Sequence, residues 1–139
     1  DAARSEAIKV SDESAPRFAG EGDCEAEWGD GHCISRSING SSFFMPMLAG
    51  FMLGKLINGK REYLPLYNRR GYDGYTTANG FRLGYAGAPG KYFAGARALE
   101  RPRTIMAIKP STGREASESR GGMSSSSSRS GIRVIRVGG

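Results

Sequence analysis

Only one stretch of this chain, Phe43-Phe44-Met45-Pro46-Met47-Leu48-Ala49-Gly50-Phe51-Met52-Leu53-Gly54-Lys55-Leu56-Ile57, is a long run of mostly apolar side chains, and whatever core the protein builds must draw on it. Ser41 and Ser42 precede the run as N-cap residues and Asn58-Gly59 follows as a stop, so an apolar helix is expected over about 43–57. Apolar side chains surround such a helix almost completely. It therefore asks to be covered on every side, by its own chain, by another subunit or by a membrane. Gly50 and Gly54 stand four apart on it, the small-xxx-small spacing through which a second backbone approaches closely.

The rest of the chain offers little to pack. Its 139 residues allow one domain, and with 38% hydrophobic residues, 21 Gly and 6 Pro much of it is loop or tail. Residues 1–20 form an acidic N-terminal arm whose β-prone run is Ala7-Ile8-Lys9-Val10, residues 21–109 a single domain, and residues 110–139 a Ser/Gly-rich tail. Within the domain, Asp23 caps a short helical turn bearing Trp28. All six tyrosines lie between Lys60 and Arg103, where Gly and Arg argue against regular helices. Asn79-Gly80 between β-prone neighbours predicts a hairpin near 75–83 with a type I′ turn. The expected fold class is small α+β with high irregular content and β-prone termini.

Charge is divided unevenly. Residues 1–30 hold nine acidic side chains against three basic ones, while the chain as a whole carries a net charge of +6. Such a division means a nucleic-acid or membrane partner for the basic part, or an acidic end that docks on a basic region of its own chain or of an identical neighbour. The final hexamer, Ile132-Arg133-Val134-Ile135-Arg136-Val137, is strongly β-prone on a polar tether, and is expected to add to a sheet edge through Ile132, Val134, Ile135 and Val137, in a neighbouring subunit first and in its own subunit as the alternative.

Two cysteines and one histidine leave few routes to chemistry. Cys24 and Cys33 have eight residues between them, too many for a redox or zinc CxxC pair and comfortable for a disulfide-closed loop, which implies an oxidising compartment. A metal site from Cys24, His32, Cys33 and Asp30 is the weaker alternative, because adjacent His32 and Cys33 strain to face one ion. His32 has no orienting partner or motif around it to make it a catalytic base. Gly87-Ala88-Pro89-Gly90-Lys91-Tyr92 has the Gly-Lys of a phosphate loop but no Ser or Thr after the lysine. The interleaved Tyr and Arg of residues 60–103 suit stacking on single-stranded nucleic acid, yet the same residues dominate protein interfaces.

Asp23-Cys24 with Trp28-Gly29 and Cys33, followed by Ser42 through Lys55, resembles the YgiB-like family of bacterial lipoprotein-type proteins, a family defined as a domain of unknown function. Looser echoes continue in Pro65-Leu66-Tyr67, the Tyr75 to Gly84 region, Thr104 to Pro110 and Arg120-Gly121-Gly122, so the likeness runs from about residue 16 to the C-terminus. It implies an envelope protein tethered by a lipidated Cys near the mature N-terminus, in some genomes beside glutathionylspermidine-synthase-like proteins. No such Cys precedes Cys24 in this sequence. The family supplies no catalytic residues.

The expectation is thus a non-enzymatic, exported, disulfide-stapled subunit, without cofactor or metal, that self-associates as a homo-oligomer, open-ended if the contacts do not close, in an extracellular or cell-envelope filament. An opening at Asp1 without a signal segment fits a leader already removed, and no run reaches the roughly 20 apolar residues of a spanning helix. The alternatives are an envelope accessory protein that binds another protein, and a binder of single-stranded nucleic acid or an anionic polymer through residues 60–103.

Overall fold

The computed structural model describes residues 1–111 and 132–139, so most of the Ser/Gly-rich tail lies outside the described residues. In chain order it forms α1 (Ala2–Ser14), β1 (Arg17–Phe18), α2 (Glu21–Trp28), β2 (Cys33–Ile38), β3 (Ser41–Pro46), β4 (Gly50–Leu53), β5 (Tyr63–Leu66), β6 (Gly84–Tyr85), β7 (Lys91–Ala94), a 3-10 turn (Ala96–Leu99), β8 (Ile108–Lys109) and β9 (Arg133–Arg136). The class is α+β, with three small open sheets ordered β2-β3-β1-β8, β4-β5 and β6-β7-β9.

The apolar run 43–57 is not a helix. It is divided between β3 and β4, with Met47-Leu48-Ala49 between them. A continuous apolar run has no period to separate a buried helix from buried strands, and the decision falls to the turns. Asn39 and Gly40 both have positive φ, at 52° and 83°, the pattern of a type I′ turn, and they join β2 to β3 with Ile38 opposite Ser41. This register carries Ser41 and Ser42 into a strand instead of a cap. Asn58-Gly59, read as a helix stop, makes the same turn between Ile57 and Lys60.

Residues 1–20 are built into the body, and Ala7 to Val10 is helical where a β-prone run was expected. The Asp1 carboxylate accepts from the Arg4 N–H at 2.8 Å and caps α1. The buried positions Ala7, Val10, Ser11 and Ser14 lie on one helical face. In α2 the N-cap is Gly20 and not Asp23, which lies in the first turn, where a carboxylate suits the helix dipole. The hairpin near 75–83 is present as the Thr76–Arg82 bridge, but Asn79 keeps a negative-φ backbone, so its turn is not type I′. Instead the Thr77 Oγ1 accepts from the Phe81 N–H at 3.0 Å.

The core has two parts. One gathers Trp28, Phe43, Met45, Phe18, Cys24 and Tyr67; the other gathers Val10, Met52, Leu64, Leu66, Leu83 and Leu99. Helix α1 serves both, since Val10 enters the second and Ala15, just past its end, enters the first. The acidic N-terminal region docks on the chain's own basic region: Arg36 holds Asp12, Arg69 holds Glu27 at 2.8 Å, Arg70 holds Asp30 at 2.9 Å and Arg101 holds Glu13 at 2.7 Å.

Candidate functional site

Cys24, fully buried on α2, is bonded to Cys33 at the start of β2. The bond ties α2 to the β2–β3 hairpin beside Trp28. Gly29, at φ 115°, ends the helix, and His32 Nδ1 lies 2.7 Å from the Trp28 carbonyl oxygen. His32 thus fastens the loop that the disulfide closes. Among the described residues no group of three His, Cys, Asp or Glu side chains is placed to hold a metal ion.

Tyr67 is fully buried in the same half. Its ring meets Trp28 edge to face at 5.6 Å, and its hydroxyl shares a 2.6 Å hydrogen bond with Ser11. Burial pushes the phenol well above the ordinary tyrosine range, an effect that the Ser11 hydrogen bond partly opposes. Arg69 stacks over Trp28 at 4.8 Å, and Arg82 stacks over Tyr72 at 4.5 Å. Within residues 60–103 the chain's own guanidiniums face Tyr72 and Phe81, while Tyr85 and Phe93 stay exposed.

The other half opens into a cleft of about 760 Å³ between β4 and β9. Gly54, Ile135 and Val137 border it, so residues from the middle and from the end of the sequence meet there. A Cβ on Gly50 would meet the Gly138 carbonyl oxygen at 2.8 Å, and one on Gly54 would meet the Leu99 carbonyl oxygen at 3.0 Å. Both glycines stand at close backbone approaches, at the start of β4 and just beyond its end rather than on a helix. Ile135 and Val137 pack on the core, while Ile132 (58% exposed) and Val134 (57%) face outward. Strand β9 pairs antiparallel with β7 of its own chain, with Val134 opposite Phe93, the within-subunit form of the expected strand addition.

The cleft is apolar at Leu53 and Leu56 and cationic at Lys55, Arg61, Arg133 and Arg136. Lys55 lies 3.7 Å from Glu100, whereas Arg61, Arg133 and Arg136 have no carboxylate partner among the described residues. Sequence reasoning singled out the aliphatic half of the C-terminal hexamer and missed these cations. The interleaved arginines of that hexamer were a visible signal; Arg61 had none, because only the fold brings it to the cleft.

The family model described as a protein of unknown function (DUF1190) matches residues 1–132. The chain belongs to that family. The match reaches back through α1 and bears out the resemblance to the YgiB-like family. Two UPF0441 proteins of Klebsiella pneumoniae, one from subsp. pneumoniae strain ATCC 700721 / MGH 78578 and one from strain 342, are each 33% identical over an alignment of 125 positions. The alignment covers 76% of this chain and 53% of each relative. The chain therefore spans about half the length of the curated relatives it matches. No solved structure matches it. No described helix is long and apolar enough to cross a membrane.

Proposed function

We propose that the chain is a non-enzymatic accessory module of the bacterial cell envelope, which works by holding another protein chain in the cleft between β4 and β9. The observation that carries this reading is the lining of the cleft. Exposed aliphatic side chains beside guanidiniums without carboxylate partners form a surface built to bind, since guanidiniums stay charged across the working pH range and do no acid–base work. The disulfide supports an extracytoplasmic location. The two features that argued for self-association, an acidic end seeking a basic region and a β-prone terminus seeking an edge, are both engaged within one chain.

A photocrosslinking residue at Leu56, which is 56% exposed in the cleft, tests this in cells. The expected result is a discrete adduct with a different envelope protein, absent when the crosslinker is moved to exposed Glu21 on α2. Adducts only between copies of this chain would return the filament subunit to first place. Recovery in the cytoplasmic fraction with free thiols would remove the envelope from the proposal.

A further inference from the structure

Two strands reach the cleft with main-chain groups turned into it. Phe51 and Gly138 exchange both backbone hydrogen bonds at 2.9 Å, so the outward side of β4 at Phe51 is closed by the residue that follows Val137. Four residues on, the Lys55 N–H donates to the Leu99 carbonyl at 2.8 Å and closes the strand again. Leu53 lies between them in the same phase, opposite Tyr63, and its N–H and C=O therefore point away from β5 into the cleft. On β9 the Val137 N–H donates to the Gly90 carbonyl at 2.8 Å, which sets Val137 and Ile135 in the pairs bonded to β7. Val134 and Arg136, in the opposite phase, turn their N–H and C=O groups to the open side. Among the described residues β9 is the edge of its sheet, and this edge faces the cleft.

The charges on that edge are unusual. Arg136 lies directly opposite Lys91 in the register, in a pair not bonded through its main chain, where side chains come closest. Like charges placed opposite one another destabilise a sheet. Neither has a carboxylate partner among the described residues, and neither do Arg133 and Arg61. A second copy pairing its own β9 here antiparallel would add two more arginines to an edge that already lacks carboxylates among the described residues. An acidic strand does the reverse, and its carboxylate neutralises the Arg136–Lys91 pair.

Resting on the reading of the cleft as a protein-binding site, we propose that its occupant is an acidic, extended peptide segment of another protein that adds as a strand to the free edge of β9. Main-chain bonds to Val134 and Arg136 hold it, and Leu53 offers a further donor and acceptor across the cleft. The side chains set a pattern. Running antiparallel to β9, the segment places an acid beside Arg136, an apolar residue beside Val134 and a second acid beside Arg133, in the order acidic, any, apolar, acidic.

The test uses a fluorescein-labelled peptide, Thr-Glu-Thr-Val-Glu-Thr, titrated with the 139-residue protein and followed by anisotropy. Saturable binding is expected, weakened about tenfold or more by Arg136→Glu and by Arg133→Glu, and by replacing both peptide glutamates with lysine. Both arginines are exposed, so the variants keep their fold. A peptide N-methylated at the amides facing β9 leaves the protein untouched and should not bind. Equal binding of the N-methylated or the lysine peptide overturns strand addition. Vesicles of anionic phosphatidylglycerol that bind through the same arginines, with the peptide unable to compete, would assign the cleft to a membrane surface instead. If Leu56 crosslinks to another protein in cells while the peptide fails to bind, strand addition falls and the accessory reading stands; if both fail, both fall.

Discussion

Around Trp28 the guanidiniums meet acceptors and ring faces, although the buried Arg17 Nε has no hydrogen-bond partner among the described residues. Arg69 stacks on its ring and holds Glu27, Arg17 stacks on Phe43 at 4.4 Å and donates to the Asp12 carbonyl, and Arg36 grips the Asp12 carboxylate. Around the cleft, Arg61, Arg133 and Arg136 have no carboxylate partner among the described residues, and Arg136 stands opposite another cation. The same residue type is spent on closure in one half and left available in the other. An arginine given both partners rigidifies a small core, while one left without them lowers stability slightly and keeps a binding surface polarised. The disulfide falls on the closed side, where the loop it constrains supports the aromatic cluster.

The sharpest way to break this contrast is to empty the closed half. Trp28→Ala removes the ring on which Tyr67 and Arg69 rest, and should cost about 3–5 kcal/mol, enough to unfold a domain this small. Chemical denaturation followed by circular dichroism measures it, and a loss below about 1 kcal/mol would show that the cluster is not the structural centre. The next largest effect belongs to the staple. Cys24→Ser with Cys33→Ser should lower stability by about 2–3 kcal/mol, since a short loop is freed in the unfolded chain. The melting temperature of the wild type should fall similarly on reduction, and a melt insensitive to reductant would contradict a bonded pair.

Gly50 holds the cleft half together, because its missing Cβ lets Gly138 reach β4. Gly50→Ala meets backbone oxygen at 2.8 Å and should cost about 1–3 kcal/mol. Amide exchange should quicken first in β9, while β2 and β3 stay protected. Uniform protection in that variant would mean the C-terminal segment is held elsewhere.

The closed half also sets a pH limit. A buried Tyr67 phenol holds its proton more tightly in the folded state than in the unfolded chain, where it titrates near 10. Stability from this group is present below that value and is lost as pH rises beyond it. Tyr67→Phe should flatten the loss between about pH 10 and 11, where denaturation curves at stepped pH compare the two proteins. An unchanged slope would mean that another group controls it.

How much of this was legible in the sequence depends on which residues one asks about. The Cys24–Cys33 spacing pointed to a closed loop, and the loop is there. The apolar run 43–57 gave its burial but not its form, because strands buried on both faces and a buried helix have the same pattern. The deciding signals were the Asn-Gly pairs at 39–40 and 58–59, whose positive φ is a local property; the pair at 79–80 shows that even this signal yields to a threonine side chain bonded across the turn. Helix α1 was legible only through small residues at 7, 10, 11 and 14, since it buries almost no bulk. The cleft was the least legible. Leu53 and Arg61 are far in sequence from Arg136, and their juxtaposition with it depends on long-range pairing that no local pattern encodes.

The smallest effect is the most discriminating. If the Arg136–Lys91 pair is a repulsion kept for binding, Lys91→Glu should convert it to an attraction and stabilise the fold by a few tenths of a kcal/mol, at most about 1 kcal/mol. The same change places a carboxylate where the acidic strand is expected to put its own, so affinity for the Glu-containing peptide should fall as the melting temperature rises. In the closed half the matching reversal, Glu27→Lys, removes the partner of Arg69 and should only destabilise. Opposite signs for these two charge reversals would establish that the halves use their cations differently. If Lys91→Glu lowers the melting temperature, its ammonium has an anionic partner already, and the cleft is less open than its charges indicate.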